Sequence, residues 1–310
     1  MKLYAPTYYQ NFTCIADKCR HSCCIGWEID VDDGTMRAYD TITEPYGQAI
    51  RDSIDREDTP HFKLCEGDRC PHLDESGLCK IITELGEGYL CHICREHPRF
   101  YNDTNDGKEV GLGMACEEAC RLILSSDGYS EVVEIGEADG EVDEIDFDAR
   151  VHREKIYDIL SDNSLPYTQR LRLIADTYGV SLSVKTDAEW RKLLDSLEYL
   201  DDSHRALFAR YSSDLSTPES LEAYLERALA YFIYRHTAAA WDEYEFRAAV
   251  GFALFCERLI ASVAQTEGVN DLTGLIEVAR MVSEELEYSE ENTEAIKESF
   301  FNTLFGEVQS

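Results

Sequence analysis

The stretch FTCIADKCRHSCCIGWEIDVD, residues 12–32, places four cysteines within eleven residues: Cys14, Cys19, Cys23 and Cys24, the last two adjacent. A run this dense restricts the N-terminal part of the chain to a disulfide framework, a zinc site, an iron–sulfur cluster or a reactive thiol. Eleven of the twelve cysteines lie between Cys14 and Cys120, and only Cys256 lies beyond. His21, His61, His72, His92 and His97 share that region. The opening MKLYAPTYYQNFTC lacks the apolar segment of a secretory signal. The expected location is therefore cytoplasmic, where thiols stay reduced and cysteine clusters are more often metal sites than disulfides.

The full spacing is C-x4-C-x3-C-C, then Cys65-x4-Cys70-x8-Cys79-x11-Cys91-x2-Cys94, then Cys116-x3-Cys120. Structural zinc prefers paired C-x2-4-C knuckles. Only Cys91/Cys94 has the commonest form, and adjacent Cys23 and Cys24 do not easily aim both sulfurs at one tetrahedral ion. The ferredoxin run C-x2-C-x2-C-x3-C-P is absent, and so is C-x3-C-x2-C, since Gly26 stands at its third position. The ligands must be gathered from distant turns. Spacing favours iron–sulfur, with zinc as the alternative metal and disulfides last.

Other signatures fail. DVDDGT at Asp30 begins like a calcium loop, but glycine arrives a residue early and Thr41 stands where glutamate is needed. It is better read as a strand end, with Asp32 or Asp33 capping a helix GTMRAYDTI. No phosphate-binding G-x-x-x-x-G-K-[ST] occurs. GLGMAC ends in Cys116 rather than glycine, so a conventional dinucleotide-type fold is not visible.

The 310 residues carry 62 acidic and 29 basic side chains, a net charge of −33. Such a chain repels phosphate backbones, which argues against nucleic acid, and would attract a cationic, lysine-bearing protein partner. Hydrophobic residues make up 44%, enough for a globular core. No window is long and apolar enough for a transmembrane helix.

The fold class expected is α+β, mostly α. Residues 1–126 form a small cysteine-rich, metal-nucleated domain without the long apolar runs that build a core unaided. Residues 127–148 form an acidic linker, with ten acids, no Lys or Arg, and one short strand at EVVEI. Residues 149–310 form an all-α domain of six to eight helices, marked by apolar residues at 3–4 spacing in segments such as ARVHREKIYDIL and LTGLIEVARMVSEELEY. Thr217-Pro218-Glu219 signals a helix start, and Gly179 and Gly268 signal stops. ALAYFIYRH and AVGFALFCERLIA are apolar on most faces and should be central, with Cys256 a buried, inert thiol.

The pattern F-x-C-x4-C-x3-C-C-x-G-W, Phe12 to Trp27, resembles the opening of the flagellin lysine N-methylase family within a broader metal-chelating group. CPHLDESGLCKI, LGEGYLCHICREHPRF and Cys116 before EEACRLIL continue the likeness, with Glu117 standing where the family usually has proline. The resemblance covers roughly residues 8–122. It implies S-adenosylmethionine-dependent methylation of flagellin lysines, with a [4Fe-4S] cluster. The motif cysteines it carries over are Cys14, Cys19, Cys23, Cys24, Cys70, Cys79, Cys94 and Cys116, leaving Cys65, Cys91 and Cys120 peripheral. Trp27, as a stacking surface, and Arg99, as a carboxylate grip, are candidate cofactor contacts; no catalytic residue can be named. The competing reading is a non-enzymatic iron- or zinc-binding, redox-sensing module with a helical interaction domain.

Overall fold

Strand β1 (Lys2–Pro6) is followed by helices α1 (Asp33–Thr41) and α2 (Pro45–Asp52), then strands β2 (Ile54–Asp55) and β3 (His61–Phe62). Next come α3 (Lys80–Leu85), α4 (His92–Glu96), β4 (Arg99–Thr104), β5 (Gly107–Leu112), α5 (Glu117–Ser125) and β6 (Val132–Glu137). The remainder is helical: α6 (Ala149–Leu160), α7 (Tyr167–Tyr178), α8 (Asp187–Asp195), α9 (Asp202–Phe208), α10 (Glu219–Thr237), α11 (Glu243–Thr266), α12 (Leu272–Glu287) and α13 (Glu290–Val308). This computed structural model describes residues 1–140, 147–214 and 217–308, with side chains to residue 301. The expected fold class, mixed and mostly helical, agrees with this element order. Among the described residues no helix is long and apolar enough to cross a membrane.

The chain groups into two compact units that do not break at residue 126. One contains residues 1–12, 100–115 and 119–310; the other contains 13–99 and 116–118. The first is built on a four-stranded sheet in the order β4-β5-β1-β6. β1 runs parallel to β5 (Lys2↔Gly107, Tyr4↔Glu109) and antiparallel to β6 (Ala5↔Val133, Pro6↔Val132). The strand expected at EVVEI is thus real, and residues 132–137 of the acidic stretch are sheet rather than linker; residues 141–146 lie outside the described residues. The short strands from opposite ends of the cysteine-rich region are held by pairings of long sequence separation, which no local pattern reveals.

The helices follow the expected periodicity. α10 and α11 form the centre, with Phe232, Phe246, Phe252, Phe255 and Cys256 all fully buried. Gly179 ends α7 at φ +59, a left-handed position that costs glycine little. Thr186 and Glu189 form a reciprocal capping box on α8. α10 starts at Glu219, where Thr217-Pro218-Glu219 signals a helix start, with Pro218 at its N-cap and no side-chain cap bond. The sheet is tied to the helices by buried charge, since Glu109 of β5 accepts from Arg153 Nη1 of α6 at 2.7 Å, and Tyr234 of α10 donates to the Val110 carbonyl at 3.1 Å.

The cysteine-rich unit has a core of its own. Ile29, Val31, Tyr39, Ile42, Ile50, Ile54, Phe62 and Ile81 are buried together with Cys70 and Cys91. β2 and β3 pair (Ile54↔Phe62), and the segment 29–31 joins them through Val31 N–H to the Pro60 carbonyl and Phe62 N–H to the Ile29 carbonyl. The expectation of a domain without its own apolar nucleus is corrected here: the apolar residues are scattered singly in sequence, and short strands collect them.

Candidate metal centre

All eight motif cysteines, Cys14, Cys19, Cys23, Cys24, Cys70, Cys79, Cys94 and Cys116, fall in the cysteine-rich unit. Local hydrogen bonds explain how distant turns are gathered. Cys70 N–H donates to the Cys24 carbonyl at 2.8 Å, and Gly26 N–H to the Asp68 carbonyl at 3.0 Å, so the segments 23–26 and 65–70 lie alongside each other. Asp74 then closes a turn, its Oδ1 accepting from the Ser76 and Leu78 N–H groups, and the bridge Leu73↔Cys79 brings Cys79 back beside Cys70. Asp32 caps α1 by accepting from Thr35 N–H at 2.9 Å. It also accepts from His92 N–H at 2.8 Å, which fixes the start of α4 and with it Cys91 and Cys94. Glu117 accepts from the Arg20 backbone N–H at 2.8 Å and its Nε at 3.0 Å, and Cys19 Sγ lies 3.8 Å away. This clamp holds Cys116 to the first cysteine run, so glutamate at the family's proline position has a structural job.

The thiols act on one another. Cys23 donates its S–H to Cys24, which pushes the Cys23 thiol far up; the charges of Cys24, Cys14 and Cys116 add to the rise. Cys24 moves the opposite way, lowered by that same bond, with Ser22 and Arg69 assisting against burial. Cys91 and Cys94 form a second such pair, Cys94 raised and Cys91 lowered by the hydrogen bond between them. Burial pushes Cys70 up to about 12, with Cys24, Cys79 and Cys91 contributing. Cys91 therefore does not stay peripheral: it is 1% exposed and inside the gathering. Cys65 is exposed, and Cys120 belongs to the other unit, where its Sγ approaches the Ile276 carbonyl at 3.5 Å. The sequence signal for Cys91 was available in its C-x2-C spacing to Cys94.

Thiols gathered in this way are a donor set that thiophilic metals fit, because metal binding displaces the thiol protons. A tetrahedral zinc with Zn–S of about 2.3 Å needs sulfurs about 3.8 Å apart. Among the described residues, the potential ligand atoms found in a group of three within 4.8 Å of one another belong to His204, Glu284 and Glu285. Among the described residues, no three cysteine sulfurs lie within that distance of one another. The His204 group is an ion-paired helix contact: Glu285 also accepts from the Leu200 and Asp201 N–H groups.

Both ring nitrogens of His72, near the cysteines, are engaged. His72 uses Nδ1 with Tyr46 OH at 2.9 Å and Nε2 with Ser53 Oγ at 3.0 Å; burial, then Lys80, lowers it to about 4. His97 is lowered to about 4 by burial and by Arg99, and its ring lies 6.4 Å from that of Trp27. Trp27 donates its indole N–H to the Cys23 carbonyl at 2.8 Å, fixing the ring beside the first cysteine run. Arg99 donates to the Arg95 carbonyl at 3.4 Å.

Two lysine-N-methylases, from Salmonella choleraesuis and Salmonella typhimurium, are each 32% identical to this chain over 127 residues, 39% of this chain and 32% of their own length. The flagellar biosynthetic protein FliU of Salmonella muenchen is 30% identical over 127 residues, which is 75% of that protein. The chain belongs to the flagellin lysine N-methylase family. Its match spans about a third of the length of the two lysine-N-methylases. No family model and no solved structure matches it.

Proposed function

We propose that the protein is an S-adenosylmethionine-dependent protein-lysine N-methyltransferase of the cytoplasm that acts on flagellin and carries a [4Fe-4S] cluster. The observation that carries this reading is the kinship to lysine-N-methylases and a flagellar biosynthetic protein; the gathered thiols support the cluster. Cys14, Cys19, Cys23, Cys24, Cys70, Cys79, Cys94 and Cys116 are the candidate ligands. A bound cluster would supply an iron centre able to hold the methionyl amine and carboxylate or to organise the pocket.

In methyl transfer the lysine nitrogen lone pair forms the N–C bond as the S–C bond of the sulfonium breaks and S-adenosylhomocysteine leaves. The amine must first lose its proton, from a pKa of about 10.4, and must be held in line with the methyl carbon. Trp27, anchored on the Cys23 carbonyl, offers a ring face to the sulfonium or adenine. Arg99 offers a guanidinium for the methionyl carboxylate. The net charge of −33 would draw a lysine-bearing substrate.

The test is anaerobic purification followed by iron and sulfide analysis, a visible spectrum, binding of labelled S-adenosylmethionine, and mass spectrometry of flagellin lysines after incubation. Brown protein that transfers label to lysine is the expected result. Metal-loaded protein that neither binds S-adenosylmethionine nor methylates flagellin would leave the non-enzymatic metal-binding module in its place.

A further inference from the structure

Four thiolates complete one zinc site or one [4Fe-4S] cluster, yet nine cysteines are collected in this unit besides the exposed Cys65. The nine divide by two separate observations. The first is the apolar core: Cys70 and Cys91 are buried in it and Cys24, Cys79 and Cys94 pack against it, whereas Cys14, Cys19, Cys23 and Cys116 take no part. The second is backbone connection. Glu117 ties the Cys116 segment to Cys19 and Arg20, while the bridge Leu73↔Cys79 sets Cys79 beside Cys70, and Cys91 and Cys94 share the start of α4. Cys24 borders both groups: it follows Cys23 in the chain, its carbonyl accepts from Cys70 N–H at 2.8 Å, and it packs against the apolar core.

We infer that the unit holds two metal centres rather than one: an outer centre on Cys14, Cys19, Cys23 and Cys116, and an inner centre on Cys70, Cys79, Cys91 and Cys94, with Cys24 between them. The inner four, embedded among apolar side chains, form a closed site that stabilises the fold. The outer four include the exposed Cys14 and Cys23, so that centre is the one a small ligand can reach. This rests on the reading that the thiols bind a thiophilic metal, and it is independent of methyl transfer.

Iron, zinc and acid-labile sulfide are counted per chain in anaerobically purified protein, beside C14S/C116S and C79S/C91S. Wild type should carry two centres' complement, read as about eight iron with matching sulfide. C14S/C116S should lose one complement, keep the other and retain its circular dichroism. C79S/C91S should lose the inner complement and lower thermal stability; if it fails to fold, the wild-type count and the outer variant still decide. A wild-type count of one centre or none overturns the inference, as does loss of all metal in C14S/C116S. One cluster with intact methylation would sink the two-centre inference alone, and two centres without methylation would sink the enzyme reading alone.

Discussion

Replacing Asp32 with alanine tests how the gathering of cysteines is held, because this carboxylate spans two helices. Its Oδ1 caps α1 through Thr35 N–H, and its Oδ2 accepts from Thr35 Oγ1 and His92 N–H, both at 2.8 Å. An N-cap is worth about 1 kcal/mol. A charge-assisted bond to the start of α4 adds about another 1 kcal/mol when discounted for exposure. Asp32→Ala should therefore cost about 2 kcal/mol, and Asp32→Asn about half of that. With a urea slope of about 2 kcal/mol per molar, the alanine variant's midpoint should fall by about 1 M in anaerobic unfolding followed by circular dichroism and visible absorption. Burial works against ionisation of Asp32, but the hydrogen bonds from His92 and Thr35 outweigh it and hold the carboxyl at about 2. A carboxyl depressed in the folded state stabilises fully above its unfolded pKa of about 3.9 and loses that contribution as pH falls through about 2. The difference between wild type and Asp32→Ala should thus shrink between about pH 4 and pH 2. A midpoint shift below about 0.3 M at pH 7, or one that stays constant down to pH 2.5, would refute this account.

Glu109→Ala should cost about 3–5 kcal/mol in thermal unfolding, because it leaves Arg153, 2% exposed, charged and unpaired; adding Arg153→Met should recover much of it, and a double variant as unstable as the single would contradict that. Cys256→Ala should cost about 1 kcal/mol by denaturation and leave the metal content unchanged, since Cys256 is sealed within α11; metal loss in this variant would mean a link to the thiols that the structure does not contain. If the acidic surface steers a lysine-bearing substrate, stopped-flow association should slow as salt rises and the screening length falls to about 8 Å at physiological ionic strength; salt-independent association would remove steering while sparing catalysis.

The helical half was legible because its signals are local. ARVHREKIYDIL coincides with α6, and LTGLIEVARMVSEELE with α12, each readable from residues three and four apart. Gly179 and Asp32 were found for the same reason, as each acts on its immediate neighbours. What was not legible depends on partners remote in sequence. β1 reads as nothing in isolation and becomes a strand only against Gly107–Glu109 and Val132–Glu137, so residues 1–12 and 100–115 joined the helices rather than the cysteines. The eight motif cysteines were singled out through the order of their motifs, and all fall in one unit. Cys91 was set aside because it lay outside those motifs, and burial rather than spacing put it back. Glu117 looked like a departure from pattern, and its bonds to Arg20 could not be foreseen.

The discontinuity of the cysteine-rich unit orders events during translation. Lys2 pairs with Gly107, so β1 waits for its partner while about a hundred further residues are made, roughly 5–20 s at typical synthesis rates. Within that interval every cysteine from Cys14 to Cys94 has been polymerised, and Cys116 has not. Cys70, Cys79, Cys91 and Cys94, in or against the apolar core, are complete before the sheet can close, whereas Cys116 follows the sheet's parallel strand. A chain halted in that interval would present β1 as an unpaired strand edge, the kind of surface on which aggregation starts.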